Sequence, residues 1–197
     1  MERGYDAIAG RYLEVTRNNR GDRTYFRSFL GGILERMPRG GCVLDLGCGA
    51  GLVSAELARK VRVIALDRSA AQLALARANA PDALLIRADI AEVAFSPASF
   101  DAVVAFWTLI HVRRDRHADV LGAIHGWLRP GGLFAGTLGA GDNPDERNPD
   151  FFGAPMAFSH FDAETNRRLL RDAGFDIVQA EEIEDEGEVP LWVIATA

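Results

Sequence analysis

The sequence predicts an α/β fold: a doubly wound, mostly parallel sheet of seven strands, helices on both faces, and an antiparallel strand at its C-terminal end. Three observations predict it. From residue 42 onward, short apolar runs alternate with stretches of helical period, the pattern of βαβ units. The first run, Cys42–Leu46, enters the turn Gly47-Cys48-Gly49-Ala50-Gly51 and then a helix, the corner where open α/β sheets receive ligands. The last two runs, Phe175–Ala180 and Val189–Thr196, have only an acidic turn between them, too short for a crossover, so they must pair antiparallel.

The elements follow in order. Tyr5, Ile8, Ala9, Tyr12 and Leu13 share one face of a helix over 2–14. Phe26, Phe29, Leu30, Ile33 and Leu34 do the same over 23–36, and Pro38-Arg39-Gly40-Gly41 ends that helix. Together, residues 1–38 form a pair of cap helices. Strand 42–46, helix 52–59 and strand 61–66 come next. Ser69 with Gln72 three positions on is a capping box for a helix reaching Asn79. Strands over 83–88 and 100–106 precede a helix over 115–128, stopped by Arg129-Pro130-Gly131-Gly132 before strand 133–138. Residues 139–161 hold three prolines and several acids and read as a long loop. Its apolar end, Phe151 to Phe158, makes it a substrate-facing lid rather than a linker. Asp162 caps a helix that Gly174 stops.

At 197 residues the chain is expected to be a single domain. A net charge of −6 and the absence of a long basic stripe exclude a nucleic-acid binder, since Asp115 interrupts the run Arg113, Arg114, Arg116. No apolar run reaches membrane-spanning length, and the first ten residues lack a leader's apolar core. Cys42 and Cys48 flank one strand in poor disulfide geometry, which fits a reducing cytoplasmic setting, and no metal-ligand spacing occurs.

The residues that carry chemistry gather at the carboxyl ends of the strands. Gly47 and Gly49 leave room for a ligand against the main chain. Asp45, inside the strand end, would repel a phosphate and favour a cationic ligand. Asp67 ends the second strand 22 positions later, where an acid accepts the hydroxyls of an adenosine ribose. Asp89 and Ile90 follow the third strand and can meet an adenine amino group and ring nitrogen. Phe106 and Trp107 end the fourth strand at the mouth of the site.

Val43-Leu44-Asp45-Leu46-Gly47-Cys48-Gly49-Ala50-Gly51, Asp67, Asp89, the fourth-strand segment and Leu128-Arg129-Pro130-Gly131-Gly132 together resemble the class I S-adenosylmethionine-dependent methyltransferases of small-molecule type, in order and spacing. The N-terminal Tyr5-Asp6…Ala9…Tyr12 pattern is similar to their cap helix. The resemblance implies a Rossmann-like sheet with the last strand inserted antiparallel. S-adenosylmethionine would be the cofactor, with S-adenosylhomocysteine as product. It implies that Asp45, Gly47, Cys48 and Gly49 hold the methionine part, Asp67 the ribose, and Asp89 with Ile90 the adenine, with Arg68 a further cofactor-binding residue. Phe106 would line the pocket, and Tyr12 would close over it.

The acceptor is expected to be a small, partly apolar metabolite with an O, N or S nucleophile. It would meet Tyr5, Trp107, Phe152, Met156 and Phe158, with His160 and His111 as candidate bases. His117 and His125 fall in a helix and read as surface or packing residues. A nicotinamide oxidoreductase is the competing reading. The Gly-Cys-Gly-Ala-Gly spacing and Asp45 count against it. A catalytically silent cofactor-binding or regulatory protein of the same fold is a third. Monomer and homodimer both stay open.

Overall fold

The computed structural model describes residues 2–19, 24–184 and 187–197. The expected helix start at residue 23 lies outside them. Helices α1 (Glu2–Asn19) and α2 (Thr24–Arg36) precede β1 (Cys42–Leu46), α3 (Leu52–Leu57), β2 (Arg62–Asp67), α4 (Ala70–Asn79), β3 (Leu84–Arg87) and β4 (Phe100–Ala105). Two 3-10 turns, Leu109–His111 and Arg114–Arg116, lead into α5 (His117–Trp127) and β5 (Leu128–Leu138). Then come β6 (Asn143–Phe151), β7 (Ala154–His160), α6 (Ala163–Asp172), β8 (Asp176–Glu182) and β9 (Leu191–Thr196).

Seven strands form one sheet in the order β3-β2-β1-β4-β5-β9-β8. β1 pairs parallel with β2 and β4, and β9 runs antiparallel to both β5 and β8. The sheet is covered on both faces, so strand residues are buried whichever way they point. Leu44, Val103 and Phe134 pack towards Leu121 and Ile124 of α5 and Leu170 of α6. Val43, Val104 and Trp192 pack the other way, towards Phe29 and Ile33 of α2. The strand order reverses between β1 and β4, and such a switch point opens a crevice at the strands' carboxyl ends.

The cap helix α1 is tied to this crevice. Asp6 accepts hydrogen bonds from the Ser69 hydroxyl at 2.5 Å and the Ala71 N–H at 3.1 Å, at the N-terminus of α4. The bond from Ser69 holds the Asp6 carboxyl below its usual range.

One expectation is corrected. Residues 139–161 are not a loop: β6 and β7 pair as an antiparallel hairpin, with Phe151 opposite Ala154. Phe152 and Gly153 turn the corner with φ of 54° and 100°, the two positive angles of a type I′ turn. Three prolines and the polar β6 sequence hid this strand pair. The hairpin packs on α1, where Ile8, Ala154 and Met156 are buried together. Gly4 permits the approach, since a Cβ there would lie 2.8 Å from the Pro155 carbonyl oxygen.

Candidate functional site

A cavity of about 1070 Å³ opens at the switch point. Its floor is the β1 turn, Asp67, Asp89 and Ile90; its roof is Tyr5 and Tyr12 of α1 with Phe151, Phe152, Phe158 and His160 of the hairpin. The site is thus built between the sheet and two elements that sit above it.

The three glycines of the turn do different work. Gly47 has φ of 66°, and a Cβ on it would lie 2.2 Å from the Thr108 hydroxyl oxygen. That hydroxyl donates to the Leu46 carbonyl at 2.9 Å and locks the turn to the end of β4. The Cβ side of Gly47 is therefore filled by Thr108, while the residue itself still lines the cavity. Gly49 is the open one: at φ of 53° its nearest neighbour on the Cβ side is the Gln72 amide oxygen, 3.8 Å away. Gly51 brings α3 against α4, with Ala76 Cβ 2.9 Å from its missing side chain.

Asp45 is 2% exposed and accepts a 2.5 Å hydrogen bond from Ser54 of α3, which meets the requirement that a buried carboxylate have partners. Asp67 joins two segments: it accepts from the Gly49 N–H at 2.9 Å and the Ser69 N–H at 2.8 Å. Burial raises its carboxyl pKa, against the lowering effect of those N–H groups. The carboxylate's four lone-pair directions outnumber the N–H groups that use them, which leaves acceptor capacity for a ligand hydroxyl. Asp89 accepts from the Ala91 N–H at 3.0 Å and pairs with Arg68 at 3.3 Å, and Arg68 lines the cavity between Asp67 and Asp89. Cys48 lines the cavity, but burial first, then Asp45 and Asp67, push its thiol far up in pKa and leave it unreactive.

Phe106 is largely buried, packs edge-on against Phe26 with ring centres 5.1 Å apart, and lines the cavity. Trp107 holds a positive φ of 50°, a strained conformation for a bulky residue. Its backbone N–H donates to the buried Thr137 hydroxyl at 2.7 Å, and its ring meets Trp192 edge to face at 5.5 Å.

The histidines separate clearly. His111 Nδ1 lies 3.1 Å from the Ala157 carbonyl, which can only accept, so Nδ1 carries the proton. Nε2 then accepts from the Tyr5 hydroxyl at 2.8 Å. Burial lowers the His111 pKa to about 4 and keeps the ring neutral. Burial, with Tyr12 and Asp67 nearby, raises that of Tyr5 well above the phenol range. His160 Nδ1 donates to the Gly141 carbonyl at 2.8 Å, which leaves Nε2 as its acceptor. His117 is 3% exposed and bonded to the Val112 carbonyl, and His125 stacks edge-on with Phe175, both packing residues.

Sixteen of the seventeen sequence-proposed residues line the cavity, from Tyr5 and Tyr12 through the β1 turn to Phe158 and His160. Trp107, His111 and Phe152 are among them. Met156 is the exception: it is 3% exposed and fills the seam between α1 and β7. Thr108, Thr137 and Gln72 were missed. The two threonines carry no motif, and Gln72 had been absorbed into a helix cap.

A family described as a methyltransferase domain matches residues 43–132, from the start of β1's apolar run to the turn before β5's core. Residues 43–132 carry a methyltransferase domain, and the chain is similar to the class I S-adenosylmethionine-dependent methyltransferases. An uncharacterized methyltransferase of Mycobacterium tuberculosis is 44% identical over 98 residues, covering 48% of this chain and 48% of that one. The chain spans about half the length of the curated relatives it matches. Among solved structures, a methyltransferase in complex with the Haloferax volcanii Trm112 methyltransferase activator superposes with a TM-score of 0.75 at 20% identity, covering 100% of this chain and 96% of that one. The 1,6-didemethyltoxoflavin-N1-methyltransferase of Burkholderia thailandensis, with 1,6-didemethyltoxoflavin and S-adenosylhomocysteine bound, superposes with a TM-score of 0.69 at 22% identity, covering 100% and 90%. These likenesses show that the chain shares their fold. Among the described residues, no helix is long and apolar enough to cross a membrane, and no group of side chains has a metal site's make-up.

Proposed function

We propose that this protein moves the methyl group of S-adenosylmethionine to an O, N or S atom of a small, partly apolar molecule. One observation carries the reading: a single cavity joins an acid-lined glycine turn at one end to an aromatic roof at the other. The residues fit the cofactor. Gly49 has an open Cβ side, Asp67 keeps free lone pairs beside it, and the nearby charge is negative, as a sulfonium requires. When bound, the cofactor supplies an activated methyl, so the protein's task is alignment and exclusion of water.

In this reading Asp67 and Arg68 border the ribose, Asp89 and Ile90 the adenine, and the turn from Asp45 to Gly49 the methionine end. Tyr5, Trp107, Phe152 and Phe158 hold the acceptor against the cofactor. His160 is the better base for a hydroxyl acceptor, because its Nδ1–H is anchored on a carbonyl and Nε2 is left to take a proton. His111 has both nitrogens engaged and acts by holding Tyr5. The Burkholderia structure, with a small heterocycle beside S-adenosylhomocysteine, supports a small-molecule acceptor here.

The test is calorimetric titration with S-adenosylhomocysteine and, separately, NADH. Micromolar binding of the first alone is the expected outcome, and preference for NADH would overturn the reading. Asp67→Ala should weaken S-adenosylhomocysteine about tenfold or more, through loss of a charged acceptor. Unchanged affinity would remove Asp67 from the ribose.

A further inference from the structure

Gln72 stands in the first turn of α4 and is 1% exposed. Neither its amide oxygen nor its amide nitrogen has a hydrogen-bond partner among the described residues. Buried amides are almost always satisfied, and an unpaired one is costly. In a capping box this side chain would reach back to the N–H of the capping residue. The first half of that box is made, with the Ser69 hydroxyl accepting from the Gln72 N–H at 3.1 Å. The second half is not: the Ser69 N–H is taken by Asp67 at 2.8 Å. Asp67 thus displaces the Gln72 amide from its usual partner.

The displaced amide faces the β1 turn. Its oxygen lies 3.8 Å from the position a Gly49 Cβ would occupy, and Gln72 lines the cavity beside Gly49 and Asp67. The neighbouring α4 residues that face inward, Leu73 and Ala76, are apolar, so a leucine or methionine would serve packing at this place. The amide serves something else. A carboxylate only accepts hydrogen bonds, whereas a sugar diol both donates and accepts. Asp67 therefore satisfies the hydroxyl protons of a diol but not the oxygens' lone pairs. The Gln72 amide brings an N–H donor, and a further acceptor, to the same place.

Resting on the cofactor reading above, we infer that Gln72 is a cofactor-recognition residue, whose buried amide hydrogen-bonds the ribose diol beside Asp67 and acquires its missing partners only on binding. The inference makes two predictions of opposite sign. Gln72→Met keeps the side chain's length and removes both polar atoms. It should raise the melting temperature of the ligand-free protein by about 2–4 °C, because an unsatisfied buried group is gone. It should also weaken S-adenosylhomocysteine about tenfold. A residue kept only for packing or capping predicts lower stability and unchanged affinity.

The experiment is thermal unfolding of wild type and Gln72→Met without ligand, followed by calorimetry of both with S-adenosylhomocysteine and its 2′,3′-dideoxy analogue. Support is a raised melting temperature, a tenfold loss with the parent ligand, and little further loss with the dideoxy analogue. A lowered melting temperature would show that the amide has partners within the protein and would overturn the inference. An equal loss with both ligands would take Gln72 off the diol. Wild type failing to bind S-adenosylhomocysteine would instead fail the cofactor reading itself, so the two failures are distinguishable.

Discussion

Gly47 and Gly49 lie two positions apart and share a backbone conformation, yet their substitution should have different consequences. Gly47→Ala meets the Thr108 hydroxyl and must also hold a positive φ. It should cost more than about 3 kcal/mol in urea unfolding, from strain plus overpacking. Gly49→Ala meets nothing closer than 3.8 Å, so strain alone should cost about 1–2 kcal/mol. Its methyl group would project towards the ligand, and calorimetry should show the larger effect on S-adenosylhomocysteine affinity. His111 makes a pH prediction. Its pKa falls from 6.5 to about 4 in the folded protein, so its contribution to stability is full above pH 6.5 and is lost as pH falls through about 4. That contribution is at most roughly 3 kcal/mol, and less where the ring edge faces the cavity's solvent. The melting temperature of wild type should therefore fall more steeply between pH 6.5 and 4 than that of His111→Gln. Equal slopes would show that His111 protonates freely in the fold.

At the scale of elements, the central strands were legible because burial on both faces forces continuous apolar runs. Val43 to Leu46 and Ala102 to Ala105 are buried at every position. Caps were legible too: Ser69 and Asp162 each accept from the N–H three residues on. The hairpin was not. β6 reads Asn143-Pro144-Asp145-Glu146-Arg147-Asn148-Pro149-Asp150-Phe151, with no alternation, because the buried side chains Ala154 and Met156 come from its partner strand and β6 adds only Phe151 at its end. Its turn uses Phe152 at a positive φ, where asparagine or glycine would have announced it. Met156 was misplaced for the same reason, since strand pairing decides which face a side chain takes. The seam between this hairpin and α1 depends on Gly4. Gly4→Ala should press on the Pro155 carbonyl, lower stability by about 1–3 kcal/mol and loosen the hairpin first. Hydrogen exchange that rises over 143–160 ahead of the sheet would confirm the order.

Across the whole molecule, the site depends on a strand far from it in sequence. Trp192 of β9 is fully buried, and Tyr25, Phe26, Phe29, Phe106 and Trp107 surround its ring with centres 5.1–6.2 Å away. The C-terminal hairpin of the sheet therefore props up the cavity wall. Trp192→Ala should cost about 3–5 kcal/mol and also weaken ligand binding, because Trp107 loses the surface it leans on. Calorimetry at a temperature where the variant stays folded separates the two effects. The position of β9 has a further consequence, in time rather than space. Of the seven strands in this sheet β9 is synthesised last, yet it lies between β5 and β8, and β8 has no other neighbour in the sheet. Until residues 191–196 emerge from the ribosome, β5 must present an open edge and β8 has nowhere to dock. The nascent chain can fold around β1 to β4 early, but the final third of the sheet closes in one late step. An open edge of that kind is where a folding chain is most able to pair with a strand of another molecule.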